Sequence, residues 1–199
     1  MPAPTLAALA LFAVAALITP GPNNIMLTAS GVTFGFGRTL PHMTGVTLGF
    51  VVLLLAVGLG VGSLLTAVPQ AQLALKIGGT LYLVYFAWRI ATAGRAGTAG
   101  SGPARPMTFL EAAAFQWVNV KGWIMAIAAM SVYVRPAQSM TDVLTVAAVF
   151  LVIAIPSVSF WAAFGHALRG MLRDPKRLRV FNVAMALLLL ATIVPLLAP

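Results

Sequence analysis

Long apolar runs dominate the chain, separated by short stretches rich in Gly, Pro and basic residues. The first run has no polar side chain from Leu6 to Ile18. It resumes with Ile25, Met26 and Leu27 after Thr19-Pro20-Gly21-Pro22-Asn23-Asn24. The two prolines remove two backbone donors and obstruct the carbonyls of Ala16 and Ile18, so the pattern predicts a broken helix. Pro22 suits the first position of a new helix, which puts Asn23 and Asn24 at a positive helix N-terminus. In water such a stretch is a turn. Within a bilayer, broken backbone persists only where protein buries it or where it lines a cavity. The break is therefore either a seat for an anionic solute group or a passive proline kink supported by neighbouring helices.

Segment two covers about Pro41 to Ala67, after a turn at Gly35-Phe36-Gly37-Arg38. Its Gly45, Gly49 and Gly60, with Ala56, fall near one helical face, and the Gly45/Gly49 and Gly58/Gly62 pairs have the spacing of close helix packing. Gly58-Leu59-Gly60-Val61-Gly62 lacks the strand–turn–helix setting of a nucleotide loop. Segment three runs from about Leu73 to Ala91, with Tyr82, Tyr85, Trp88 and Arg89 crowding toward its end as interfacial anchors. A Gly/Ala/Pro-rich linker, about 93–107, divides the chain into halves of about 1–92 and 108–199, each with three segments. Segment four opens on Thr108-Phe109-Leu110-Glu111, a capping box that makes Glu111 a helix cap rather than a proton carrier. It continues through Gln116, Asn119, Lys121 and Gly122 to about Val134. Segment five runs from about Thr141 to Gly165, with Asp142 as its helix-start acid and Pro156-Ser157 in its middle. A basic loop, 169–179, turns at Asp174-Pro175 and leads into segment six, about Val180 to Leu197.

The expected fold is an all-α integral membrane protein, 1–199 forming a single transmembrane domain of six helices. The two halves read as inverted three-helix repeats, with the first helix broken at Pro20-Gly21-Pro22. Composition agrees: 61% hydrophobic and 8% charged residues, with a mean hydropathy of +1.01, are too apolar for a soluble domain. Spans of about 20 residues leave no room for a separate soluble domain. Met1 to Thr5 carries no basic residue, and the apolar run leads into Pro-Gly-Pro rather than a cleavage site, so no signal peptide is expected. The absence of cysteine excludes disulfides and thiolate metal sites, and no metal or cofactor is expected.

The net charge of +9 reads as a topology signal rather than a nucleic-acid footprint, because the basic residues sit beside apolar runs. Arg38 follows segment one, and Arg89, Arg95 and Arg105 follow segment three. Arg169, Arg173, Lys176, Arg177 and Arg179 follow segment five. Only Arg135 lies on the opposite face, while Lys76 and Lys121 lie within spans. Nine against one places the basic loops in the cytoplasm and both termini outside. The 169–179 loop then faces anionic lipid. Five spans with a re-entrant first segment is the alternative, and a homo-oligomer is compatible with either.

Pro20-Gly21-Pro22-Asn23-Asn24, with Gly31, Gly35-Phe36-Gly37, Leu40-Pro41-His42 and Gly45, resembles the LysE/RhtB-type amino-acid exporters. The match continues through Lys76-Ile77-Gly78-Gly79-Thr80-Leu81-Tyr82-Leu83 and Phe115-Gln116-Trp117-Val118-Asn119. The resemblance implies a six-segment inner-membrane carrier that expels amino acids or related small solutes, coupled to the proton gradient. In one place the chain departs from the family pattern. Asn-Pro-Lys is usual in segment four, whereas this chain has Asn119-Val120-Lys121, so a matching break there rests on Gly122 alone.

An amino acid presents a carboxylate and an ammonium group. Amides after Pro22, with the Asn23 and Asn24 side chains, can donate to the carboxylate. Carbonyls freed at Ala16 and Ile18 can accept from the ammonium, and Gln116 and Asn119 complete the lining. The alternative is a set of separate, satisfied interhelical hydrogen bonds. Lys121 lies about 20 Å along segment four from the Thr108 cap, deep in a core about 30 Å thick. A charged lysine there costs about 2.5–3.5 kcal/mol, and no acid is placed to offset it. Lys121 either binds a carboxylate, exchanges a proton as the carboxylate arrives or leaves, or plugs carbonyls between packed helices. His42, near the cytoplasmic end of segment two, is the second candidate proton relay; His166, by the basic loop, is a weaker one. An intramembrane enzyme would need a nucleophile–base pair or metal ligands at depth, and the sequence offers neither. A channel for small polar solutes would use the same polar midplane.

Overall fold

The computed structural model describes residues 1–93, 105–135 and 139–194. The linker expected over 93–107 therefore lies mostly outside the described residues, as does the end of segment six. Regular structure among the described residues is helical throughout. Helix α1 spans Ala3–Ile18 and α2 spans Pro22–Phe34, and the two meet at a 56° bend. Between them Thr19 folds back, its N–H and hydroxyl both bonded to the Ala15 carbonyl. Gly21 is extended (φ −168°, ψ −179°), and Pro22 opens α2 where a missing N–H costs nothing.

Gly35, at φ +83°, ends α2 in a left-handed conformation that a side chain would disfavour. A single residue thus makes the turn, and α3 (Phe36–Ala56) starts ahead of Pro41. Pro41 sits in its second turn, where it releases only the carbonyl of the exposed Gly37. A wide helical turn, Val57–Val61, bends away at Gly60 (φ +105°) into α4 (Gly62–Ala67). Gly60 is therefore a bend residue, not a packing residue. Helix α5 covers Pro69–Ala91. Segment four is broken like segment one. Helix α6 (Phe109–Phe115) and α7 (Val120–Tyr133) are separated by Gln116 to Asn119, whose N–H groups bond only three residues back. Helix α8 (Ser139–Leu168) runs unbroken through Pro156. Helix α9 (Pro175–Ala191) starts earlier than its apolar run, because the Asp174 carboxylate accepts from the N–H groups of Lys176 and Arg177.

Two helical stretches, Phe36–Val61 and Met140–Leu168, are each long and apolar enough to cross a membrane. The bent pair α1–α2 passes the same test together, and α7 is a shorter apolar helix. The broken pair α1–α2 packs on α8, α6 packs on α3, and α5 packs on α9. Backbones meet closely at these crossings. A Cβ on Gly31 would strike the Ala162 carbonyl, and one on Gly165 would strike that of Thr28. Gly45 and Gly49 meet the α6 backbone at Phe109 and Ala113 in the same way. Such small-residue contact is what holds helices together in lipid, where apolar burial gives little net drive.

The apolar core divides in two. Ile25 to Leu27, Phe86, Phe115 and Ala162 belong to one cluster. Leu9, Ala13, Leu53, Trp123 and Phe150 belong to the other. Along the chain both helix breaks fall between members of the two clusters, one between Ala13 and Ile25 and the other between Phe115 and Trp123.

Candidate functional site

The ends freed by the two breaks face each other. The Lys121 ammonium, in the first turn of α7, donates to the Thr19 carbonyl at 2.8 Å. Asn24 donates to the same carbonyl at 3.0 Å and to that of Leu17 at 2.9 Å. Ser157, from the middle of α8, donates to Leu17 as well, at 3.1 Å. These side chains thus bond the carbonyls of Leu17 and Thr19, next in sequence to those of Ala16 and Ile18, which the two prolines leave without a backbone donor. Proline position fixes which donors vanish, whereas the bend decides which carbonyls turn toward the neighbouring helices.

Asn23 and Gln116 form a reciprocal amide pair between the two broken segments, at 2.9 and 3.2 Å. Gln116 is fully buried and also donates back to the Ala112 carbonyl. An open cleft of about 280 Å³ lies beside these groups, lined by Leu17, Gly21, Asn23, Asn24, Asn119 and Lys121. Its chemistry is asymmetric. Asn24 has both amide hydrogens committed to α1, so its side chain pins the break. The N–H groups of Asn23 and Asn24 stand in the first turn of α2, where no carbonyl four residues back can serve them. Lys121 passes so near Gly21 that a Cβ there would lie 2.9 Å from its Cδ. No carboxylate neutralises it, since all three acids are engaged elsewhere. Glu111 pairs with Arg105 at 2.7 Å, Asp142 pairs with Arg135 at 2.8 Å, and Asp174 caps α9. A lysine, a helix N-terminus and amides around one open cleft can hold a small anionic group.

The structure thus brings Gly21, Pro22, Asn23, Asn24, Asn119 and Lys121 around one cleft, with Gln116 bonded to Asn23 behind it; Pro20 is exposed and does not line it. His42 is not there. It lies fully buried in α3, in a different cavity, with neither ring nitrogen partnered. His166 is exposed near the end of α8. Ser157 was missed as a site neighbour, and its only signal was a polar residue after a proline in mid-span.

Broken helices that meet at a polar cleft inside an apolar helical bundle are the build of a membrane carrier. The chain belongs to the LysE type translocator family, whose model matches residues 14–198. Translocators of this family are membrane transporters, not enzymes. The chain is 35% identical over 176 residues to a cysteine/O-acetylserine efflux protein of Escherichia coli, covering 87% of each chain. A protein of the same name from Shigella sonnei is 35% identical over 175 residues, covering 86% of this chain and 87% of the relative. No solved structure matches the chain.

Proposed function

We propose that this protein is an inner-membrane carrier that exports amino acids or closely related small zwitterions, driven by the proton gradient. The observation that carries the reading is Lys121, an ammonium in the cleft with a backbone carbonyl as partner and every acid engaged elsewhere. In this reading the substrate carboxylate bridges Lys121 and the first-turn amides of α2, with Asn119 beside it. Carbonyls around the Pro20-Gly21-Pro22 break accept from the substrate ammonium. Gln116 and Asn23 hold the two broken segments in register, and Lys121 and His42 are the groups that exchange protons with the two faces. The names of the relatives make cysteine and O-acetylserine the first solutes to try.

The same reading gives six spans arranged as two inverted repeats. The support is the reciprocal packing: the broken segment of each half lies on the long helix of the other, and the third helices pair together. Both termini then face the periplasm. The exposed residues Arg169, Arg173, Lys176, Arg177 and Arg179 lie against anionic lipid at the cytoplasmic surface.

Inverted membrane vesicles containing the protein should concentrate O-acetylserine or cysteine inside when energised. An uncoupler should abolish that gradient. Flux that only equilibrates and ignores the uncoupler would make the protein a channel. No flux with any amino acid would overturn the carrier reading.

A further inference from the structure

A second open cavity lies between α2, α3, α5 and the 105–107 segment. Ser30, one of its walls, stands about 13 Å along α2 from Gly21 at 1.5 Å per residue. Its most unusual wall is Arg89, only 9% exposed. The guanidinium carbon lies 5.0 Å from the Phe86 ring centre and 5.7 Å from that of Tyr85. Ring faces attract a cation but offer no acceptor to its five N–H donors. Among the described residues the Arg89 side chain has no ion pair and no hydrogen bond. Arg105, at the rim, is already neutralised: its two terminal nitrogens each meet a Glu111 oxygen at 2.7 Å.

A second observation points the same way. His42 lines this cavity at 1% exposure, and both of its ring nitrogens lack a partner. Ser30, also on the wall, has its proton committed: the Thr39 hydroxyl donates to the Gly35 carbonyl, so Ser30 donates to Thr39, at 3.1 Å. Buried polar groups in folded proteins are nearly always satisfied. Here a fork of guanidinium donors and an imidazole face the same space, and the missing component is an anion with at least two oxygens.

We propose that this cavity binds the carboxylate of a small solute, with Arg89 as the anchor and His42 as a hydrogen-bonding wall. That it is the loading station for the solute later held at Lys121 rests on the carrier reading above; the anion site itself does not. Helix α2 is the wall shared by the two stations. A lipid phosphate offers similar oxygens, and the test separates the two sources.

The chain contains no cysteine, so a single thiol can report on the cavity. Cysteine is placed at Ala29, inside, or at Ala93, on the rim, and the purified protein is labelled in detergent. An anionic sulfonatoethyl methanethiosulfonate and the cationic trimethylammonium reagent are compared. With each rate taken relative to that reagent's rate with a free thiol, the anionic reagent should react about ten-fold faster at either position, as expected of a positively charged cleft. Arg89→Gln should bring the two rates together. O-acetylserine should protect the thiol, and ethanolamine, which lacks a carboxylate, should not. Arg89→Lys keeps the charge but loses the fork, so the rate preference should stay while protection weakens several-fold. It also decides the matter if Arg89→Gln does not fold, because undiminished protection would overturn the proposal. Equal normalised reactivity in the single-cysteine proteins that keep Arg89, no labelling at either position, or a preference that survives in folded Arg89→Gln would overturn it too. So would protection by phosphatidylglycerol but not by O-acetylserine, which would make the cavity a lipid seat. Labelling requires no transport. A protein that labels as expected yet exports nothing keeps the anion site and loses the carrier reading, and Lys121→Met should leave the labelling ratio unchanged.

Discussion

A charged lysine near the centre of a bilayer costs about 2.5–3.5 kcal/mol. Interhelical hydrogen bonds in membranes return about 0.6 kcal/mol on average and at most about 1.7. The single bond from Lys121 to Thr19 therefore leaves a deficit, and no carboxylate closes it. Replacing the residue with an apolar one of similar length should relieve a cost rather than create one. Lys121→Met is expected to fold and insert at least as well as wild type, yet to export at under about 1% of the wild-type rate, as for loss of a charged anchor. Lys121→Arg should leave weak activity at most, since its planar head is bulkier and does not titrate. Wild-type rates in Lys121→Met, normalised to folded protein in the membrane, would remove this residue from binding and coupling. Gly21 gives an independent check. Its extended backbone accepts any residue, so Gly21→Ala carries no conformational penalty. The added Cβ would meet Lys121 at 2.9 Å from Cδ and 3.0 Å from Nζ, and a flexible side chain yields before the fold does. Thermal stability in detergent should be unchanged while the KM for export rises about ten-fold. An unchanged KM would mean that the Lys121 position does not matter to substrate.

At the scale of elements the two breaks are made differently, and only one could be read in the sequence. The first is local: Pro20 and Pro22 remove two backbone donors on either side of Gly21, a heavier disruption than the single Pro156 that α8 absorbs. Replacing Pro20, Gly21 and Pro22 together with alanine should join α1 to α2, remove the 56° bend and withdraw the Leu17 and Thr19 carbonyls from Asn24, Ser157 and Lys121. Insertion should survive and export should fall to background; normal transport by the well-expressed triple variant would reduce the motif to a kink. The second break has no proline, and Val120 occupies the place where one would mark it. It is held by tertiary contact, with the Val118 carbonyl tucked against α5 where Gly79 leaves no side chain in the way. A glycine nearly forty positions upstream is not a local signal, and Gly122, the residue expected to loosen segment four, lies inside α7 rather than at the break. The exposed cap of α6 was fully legible. Thr108 and Glu111 form the reciprocal pair expected of their spacing, and Arg105 adds two bonds. The Arg105 hydrogen bond draws the Glu111 carboxyl down from its ordinary 4.5 to about 2. A carboxylate with a lowered pKa stabilises the folded state above its unfolded pKa, and that contribution is lost as pH falls through the folded one. Melting in detergent should therefore show wild type losing stability between about pH 4.5 and 2, with a shallower slope in Glu111→Gln and at high salt. Equal slopes would show that the pair contributes nothing.

For the molecule as a whole, packing sorts the basic groups to one end. The count of basic residues constrained the inner hairpins well and the first and last segments poorly, because no charge tags their outer ends. Packing supplies what the count lacked. The basic ends of the helices gather: the Arg169 and His166 side chains lie beside Gly35, Arg89 and Arg105 share one cavity, and Asn182 ties α9 to the Ala93 carbonyl at 2.7 Å. At the opposite end Met1 packs with Tyr133 and Val134 against the second core cluster, next to the Arg135–Asp142 pair. The N-terminus therefore shares an end with the weakly charged loop. Helix α9 leaves the basic end, and its 17 residues reach about 26 Å toward the other face, close to the thickness of a bilayer core. Basic loops stay in the cytoplasm during insertion, so both termini are expected in the periplasm. A C-terminal fusion to alkaline phosphatase, active only outside, should be active in cells, and a fusion to a fluorescent protein that matures only in the cytoplasm should stay dark. The same pair of reporters placed after Arg173 should give the opposite result, which guards against a fusion that merely fails to insert. A bright cytoplasmic C-terminus with an unchanged result after Arg173 would mean that α9 does not cross. Reversal of both would invert the whole topology, and would place the Arg89 cavity on the periplasmic side, where a loading station for export could not work.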